Sequence, residues 1–274
     1  MDDPRAFYLE SVWPLLPDDL RAQFEARYPN VRLHPAPDCT PLADVRVCMV
    51  VGLTGTGKST TLAQLAAMRQ AGMVRYHDDL PDRRELADLI IIPTAQVIGG
   101  EAVQPVKDRE QRFKLTHRFA RDFDAGGSAA AYGWLYYRWD GHTPLLSDGL
   151  RGPDEIAFAL ARYPRWNVCE LWIDPLTRLR RLSNRADRFD YLASTHAAAD
   201  FSFLPEGRRL EALALLEAGE ITAKAVVTAR AEAHNYGGEP YDGNNQTPRY
   251  RCLMIDGLTP SEVASEVAAL MEAN

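Results

Sequence analysis

The residues best equipped for chemistry stand together early in the chain, in Gly52-Leu-Thr-Gly-Thr-Gly57-Lys58-Ser59, a complete GxxxxGK[ST] spacing. Glycines at these places let a backbone wrap a phosphate chain with its amide hydrogens turned inward. A helix opening directly behind them offers its positive end to the same anion. Lys58 then reaches the outer phosphates, and the Ser59 hydroxyl is placed to ligate Mg²⁺. The nucleotide-binding set predicted here is Gly52, Thr54, Gly55, Thr56, Gly57, Lys58, Ser59 and Thr60, with ATP and Mg²⁺ as the expected cofactors.

Such a loop works only between a strand and a helix, and the flanking residues supply both. Val45-Arg-Val-Cys-Met-Val-Val51 reads as a buried strand, and the stretch from Lys58 reads as a helix that stops near Gly72. A short second strand is expected at Met73 to His77. Pro144-Leu-Leu-Ser-Asp148 and Asn167-Val-Cys-Glu-Leu-Trp-Ile173 are further strands, the latter leading to an arginine-rich helix from Pro175. Tyr250 to Ile255 is the last strand, and Thr259-Pro260-Ser-Glu262 opens the last helix with a capping box. Asp148 ends an apolar strand, at the edge of a parallel sheet where ligands bind, which makes it the second expected Mg²⁺ ligand beside Ser59; the competing role for such a carboxylate is a helix cap.

Asp148-Gly-Leu-Arg151-Gly-Pro-Asp-Glu resembles the strand-end motif of the nucleoside monophosphate kinase superfamily, where adenylate kinases carry Asp-Gly-Phe-Pro-Arg and relatives of dephospho-coenzyme A kinase carry Asp-Gly-x-Arg. Pro175 to Asp190, with Arg178, Arg180, Arg181, Arg185 and Arg188, is similar to the helix and lid of these kinases. The resemblance implies that Asp148 orients the Mg²⁺ shell, that Arg151 holds an acceptor phosphate, and that Arg185 and Arg188 close over the ATP phosphates. It also implies a carboxylate that accepts the acceptor's hydroxyl proton, for which Asp79, or its neighbour Asp78, is the candidate; a loop cap is the plainer reading of that pair. The implied fold is a three-layer α/β phosphate-loop kinase fold, a doubly wound parallel sheet of about five strands with helical acceptor-binding and lid insertions. The resemblance covers residues 45–77, 144–195 and the last strand and helix, and leaves the acceptor segment unassigned.

The organisation expected on this basis is an N-terminal extension over residues 1–43 and a kinase-like domain over 44–274, carrying an acceptor-binding insertion at 78–143 and a lid with helical insertion at 184–249. Within the first insertion, Arg83, Arg84, Arg109, Arg112 and Arg118 are candidates for an anionic pocket. The aromatic run with Tyr132, Trp134, Tyr136 and Trp139 reads first as core packing and second as a stacking surface. The apolar Leu89 to Ile92 is closed by Pro93 in this reading, and Glu206 to His234 forms two helices broken around Gly219.

The 274 residues, 46% of them hydrophobic, suffice for one decorated core, and a net charge of −7 argues against a nucleic-acid partner. Four cysteines without a CxxC pair, and histidines without ligand spacing, leave no sequence support for zinc and fit a reducing cytoplasm. No apolar run approaches a membrane span, so the expected partners are ATP and a small acceptor, in a monomer or homodimer. An Asn-Lys-x-Asp guanine motif, a strand-end Asp-Glu pair and a Leu-Ser-Gly-Gly signature are all missing, which sets aside GTPases, mechanochemical ATPases and transporter ATPases. The expectation is ATP-dependent phosphorylation of a small acceptor, a nucleotide or another phosphate-bearing metabolite. A phosphate-loop ATPase or nucleotide-sensing module without such an acceptor is the alternative.

Overall fold

Five consecutive apolar residues, Val47–Val51, form a strand buried on both faces, and the main sheet is built around it. The computed structural model describes residues 3–184, 200–242 and 247–273. In chain order, α1 (Pro4–Phe7), α2 (Asp18–Arg27), β1 (Val31–Arg32) and β2 (Thr40–Pro41) precede this strand, β3, which runs through the glycine-rich loop into α3 (Lys58–Gln70). Four helices follow: α4 (Arg83–Leu86), α5 (Ile92–Ile98), α6 (Arg109–Asp122) and α7 (Gly127–Gly133). Next come β4 (Tyr136–Tyr137), β5 (Leu145–Ser147), α8 (Gly152–Arg162), β6 (Trp166–Trp172) and α9 (Pro175–Ser183). The chain continues through α10 (Glu206–Glu217), α11 (Ala223–Tyr236), β7 (Tyr250–Met254) and α12 (Pro260–Glu272).

The main sheet has the order β5-β3-β6-β7 with every neighbouring pair parallel. Alternation along β3 decides which side each residue serves. Val47, Met49 and Val51 enter the larger core, with Ile156, Ala159 and Leu160 of α8 and with α4, α5 and α7. Cys48 and Val50 enter the other core, with Leu65 of α3 and Val263, Val267 and Leu270 of α12. The result is the three-layer α/β fold, helices on both faces of a parallel sheet. Burial pushes the Cys48 thiol up to about 12, so this cysteine behaves as a small apolar side chain.

The fifth parallel strand expected at Met73 to His77 does not form. That segment meets the sheet edge through one bridge, His77 to Leu145, made by His77 N–H to Pro144 O at 2.9 Å and Leu146 N–H to His77 O at 2.8 Å. Val74 and Tyr76 are buried but add no further ladder bond to the sheet, and just beyond the bridge Asp79 is held by Tyr137 and Asn30. Pro93 does not end its apolar run either. A π-type turn over Ala87–Ile91 leads directly into α5, with Pro93 in its first turn. Proline cannot donate to the Leu89 carbonyl one turn back, and the Tyr8 hydroxyl donates to it instead at 3.0 Å.

That bond also shows how the first 43 residues are held. Tyr8, Val12, Val31 and Leu42 are fully buried in the larger core, β1 and β2 pair antiparallel with β4, and Trp166 Nε1 donates to Leu42 O at 3.0 Å. A third small core joins α9, α10 and α11 through Leu176, Leu179, Leu215, Ile221 and Val226. This places α11 against α9 and brings its C-terminal half to the phosphate-loop end of the sheet.

Candidate functional site

At the carboxyl end of β3 the backbone turns through Gly55 (φ 91°) and Gly57 (φ 85°), left-handed conformations that side-chain-bearing residues rarely adopt. Gly57 caps α3, so the helix begins at Lys58 with its free amides facing the loop. Gly52 is required for space: an added Cβ would lie 2.4 Å from Thr56 Oγ1 and 3.0 Å from Leu171 O. The loop lines a cavity of about 480 Å³ whose other wall is apolar, formed by Ile255, Leu258, Pro260 and Val263. Arg181 closes its rim, with Nη1 3.7 Å from where a Cβ on Gly57 would stand.

A buried ion pair grips the outside of this loop. Glu232 of α11 accepts from the Thr54 backbone N–H at 3.1 Å and from the Thr54 hydroxyl, and it pairs with Arg178 of α9. Arg178 in turn donates through Nε to the Thr54 carbonyl at 2.9 Å. Every polar group of Thr54 is thereby committed to two residues that are each more than nine-tenths buried. Burial pulls the Arg178 guanidinium below its ordinary range while Glu232 opposes it. Glu232 went unnoticed in the sequence because a lone glutamate in an alanine-rich helix gives no local sign; Arg178 was visible only as one of several helix arginines.

Lys58 Nζ lies 3.6 Å from Asp148 Oδ2, just past the end of β5. Burial, with Arg151 adding repulsion, pulls the ammonium down to about 8, against the opposing pull of Asp148 and Glu232. The Asp148-Gly149 turn is shaped by packing: a Cβ on Gly149 would lie 2.2 Å from the Tyr132 ring, and the Tyr132 hydroxyl donates to Pro81 O at 2.6 Å. Arg151 Nη1 donates to the carbonyls of Asp148 (2.6 Å) and Leu150 (2.7 Å), which folds its guanidinium back over the turn. Glu155 is the hub beneath: it accepts from Arg151 N–H at 2.7 Å and Ser128 N–H at 2.9 Å, and it faces Arg83 at 3.5 Å.

Asp148 and Arg151 open onto a second cavity, of about 580 Å³, beside the loop. Arg83, Arg84, Lys107 and Arg112 line it, with Asp82, Phe113 and Tyr236. Five cations against two carboxylates suit an anion. Gly152 (φ 75°) lets the turn approach α11, where a Cβ would lie 2.6 Å from Tyr236 O. One helix thus carries Glu232 to the loop and, one turn on, Tyr236 to the cleft.

Several residues expected in the site fall elsewhere. Asp79 is absent from the cleft wall: its oxygens accept from the Tyr137 hydroxyl at 2.6 Å and from Asn30 Nδ2 at 2.8 Å, which ties the N-terminal segment to the core. The carboxylates that do line the cleft are Asp82 and Asp148. Arg118 points to Glu101 and the Ala95 carbonyl, away from it. Of the aromatic run, Tyr132 and Trp134 are core residues, the first of the two readings given to it. Arg185 and Arg188 lie outside the described residues, as does the Arg109 side chain. Among the described residues no cluster of three metal-ligating side chains occurs, and no helix is long and apolar enough to cross a membrane.

No family model matches the chain, and no curated protein matches it. Similar solved structures include an unliganded sugar kinase from Janibacter sp. HTCC2649, 13% identical over 83% of this chain and 95% of that chain, with a TM-score of 0.38. Another is the Mycobacterium tuberculosis APS kinase in complex with AMPPNP and APS, 15% identical over 84% of this chain and 99% of that chain, with a TM-score of 0.35. Likenesses this distant carry no function across. The chemistry rests on the residues themselves.

Proposed function

We propose that the protein transfers the γ-phosphoryl group of ATP to a small, phosphate-bearing acceptor. The observation that carries this reading is the 3.6 Å contact between Lys58 and Asp148, which joins a phosphate-binding loop to a cationic cleft of acceptor size. The loop amides and Lys58 hold the phosphates, the apolar wall from Ile255 to Val263 receives the base, and Arg181 lies at the rim. In the transfer, the bond from the γ-phosphorus to the bridging oxygen breaks while a bond to the acceptor oxygen forms. ADP leaves, and the acceptor proton passes to the other cleft carboxylate, Asp82, or to water. Arg151 and the cations around it neutralise charge on the acceptor and orient it in line.

The donor set fits Mg²⁺, which typically takes one hydroxyl or carboxylate from such a site and completes its shell with phosphate oxygens and water. Ser59 and Asp148 would hold it, and it would supply charge neutralisation at the β- and γ-phosphates. Closure by Arg185 and Arg188 belongs to the same reading. Its test is Lys58→Ala, assayed for label transfer from γ-labelled ATP and by circular dichroism. Transfer is expected to fall about 10³-fold with the fold unchanged, and retained transfer would remove the loop from the mechanism.

A further inference from the structure

The acceptor cleft continues behind Tyr236. Arg83 stands over the Tyr236 ring, 5.2 Å from its centroid, with Nη1 3.4 Å from the hydroxyl, and this pair partitions the cleft. Beyond it lies an inner chamber of about 310 Å³ that shares Arg83, Thr116, Arg151 and Tyr236 with the outer one. The two chambers differ in charge. Outside, Arg84 and Lys107 form no ion pair among the described residues, whereas Arg112 faces Asp88 and Arg83 faces Glu155. Inside, apart from the shared arginines, the wall has no lysine or arginine and presents His117, His234, Ser128, Asp154, Glu155 and Asn235.

Two buried polar atoms here, Arg83 Nε and Ser128 Oγ, have no hydrogen-bond partner, and both residues line the inner chamber. Buried polar groups are nearly always paired, and leaving two unpaired at one place opposes folding. Arg83 Nε can only donate, whereas Ser128 Oγ can donate or accept. An ammonium could not satisfy the first. A ligand hydroxyl can accept from the first and can donate to or accept from the second, and Asp154 and Glu155 offset the shared Arg83 and Arg151, which leaves the chamber suited to an uncharged group.

We propose that the cleft takes a sugar phosphate headgroup, its phosphate monoester in the outer chamber at Arg84 and Lys107 and its uncharged, hydroxyl-bearing ring in the inner chamber beside Ser128 and Asn235. Calling this compound the acceptor rests on the phosphotransferase reading; its binding does not. Calorimetry and thermal shift, without nucleotide, would compare inorganic phosphate, ribose and ribose 5-phosphate on the wild type, Ser128→Ala and Arg84→Ala/Lys107→Ala. The wild type is expected to bind ribose 5-phosphate about tenfold tighter than inorganic phosphate. Ser128→Ala is expected to raise the Tm of the ligand-free protein and yet lose most of that preference, and the double variant to lose ribose 5-phosphate altogether. A parallel arm with uridine 5′-monophosphate distinguishes a nucleotide from a free sugar phosphate as the source of the headgroup, and tighter binding of either than of inorganic phosphate supports it. Equal affinity for inorganic phosphate, ribose 5-phosphate and uridine 5′-monophosphate, or a preference untouched by Ser128→Ala, would overturn the proposal. Because no step of this assay uses ATP, a protein that binds the headgroup but releases no ADP would refute the transfer reading and leave the site standing.

Discussion

The phosphate loop and the cationic cleft proposed for the acceptor meet at Asp148, yet they are made in different ways. Eight consecutive residues make the loop, and what such a loop offers a phosphate is largely backbone amides. The cleft is made of side chains from four places: Asp82 to Arg84 before and within α4, Lys107 to Thr116 around α6, the Asp148 to Arg151 turn, and Tyr236 at the end of α11. A site built from backbone is written in local spacing. One built from side chains exists only once the chain has folded.

The sharpest way to break this contrast is through Glu232, which makes the loop depend on a distant helix after all. Removing one partner of a buried ion pair leaves an uncompensated charge, so Glu232→Ala is expected to lower unfolding free energy by about 3 kcal/mol or more in urea melts. It should also raise the KM for ATP more than that for the acceptor, because Thr54 loses both of its donor contacts. An unchanged KM for ATP would mean that the loop holds its shape unaided. Glu232→Gln keeps an acceptor for the Thr54 amide and is expected to recover part of the affinity.

Legibility followed the same division. Gly52 to Ser59, the β3 and β6 strands, the Asp148-Gly-Leu-Arg151 turn and the Thr259 capping box could all be read because each is a short-range pattern. Glu232 and Tyr236 could not, since each acts on a partner far away in sequence. Asp79 misled for the same reason: a strand-end carboxylate reads as chemistry until Tyr137 and Asn30 are seen to hold it. Pro93 misled because the hydroxyl that relieves it belongs to Tyr8, eighty-five residues earlier.

On the cleft side, Arg151→Ala is expected to raise the acceptor KM roughly tenfold to a hundredfold, the range for hydrogen bonds to charged groups, with little change in the KM for ATP. Arg151→Lys separates charge from geometry: Arg151 holds the Asp148 and Leu150 carbonyls through Nη1 alone, which leaves Nη2 for a phosphate oxygen, and a lysine has one nitrogen for both tasks, so rescue should be slight. Full rescue would reduce Arg151 to a point charge.

The smallest expected effect is one of pH, and it belongs to the loop. With the Lys58 ammonium depressed to about 8, its charge is lost as pH rises through that value in the nucleotide-free protein. ATP affinity should therefore weaken by about tenfold for each unit above it until bound phosphate restores the proton. The unfolded chain keeps its proton up to the ordinary lysine value of 10.5, so this residue's contribution to stability improves as pH climbs from about 8 towards 10.5. Lys58→Met should abolish both trends. A flat ATP affinity between pH 7 and 9 in the wild type would mean that Lys58 does not meet the phosphates.

The central claim is that loop and cleft act on each other's ligands across Asp148. ADP release from MgATP, measured with and without a panel of sugar phosphates and nucleoside monophosphates, tests it most directly. The account predicts release that is slow alone, accelerates with one class of phosphate monoester in proportion to phosphorylated product, and vanishes in Lys58→Ala. Release at the same rate with and without every acceptor would contradict it, and would make the protein an ATPase whose cleft serves another purpose.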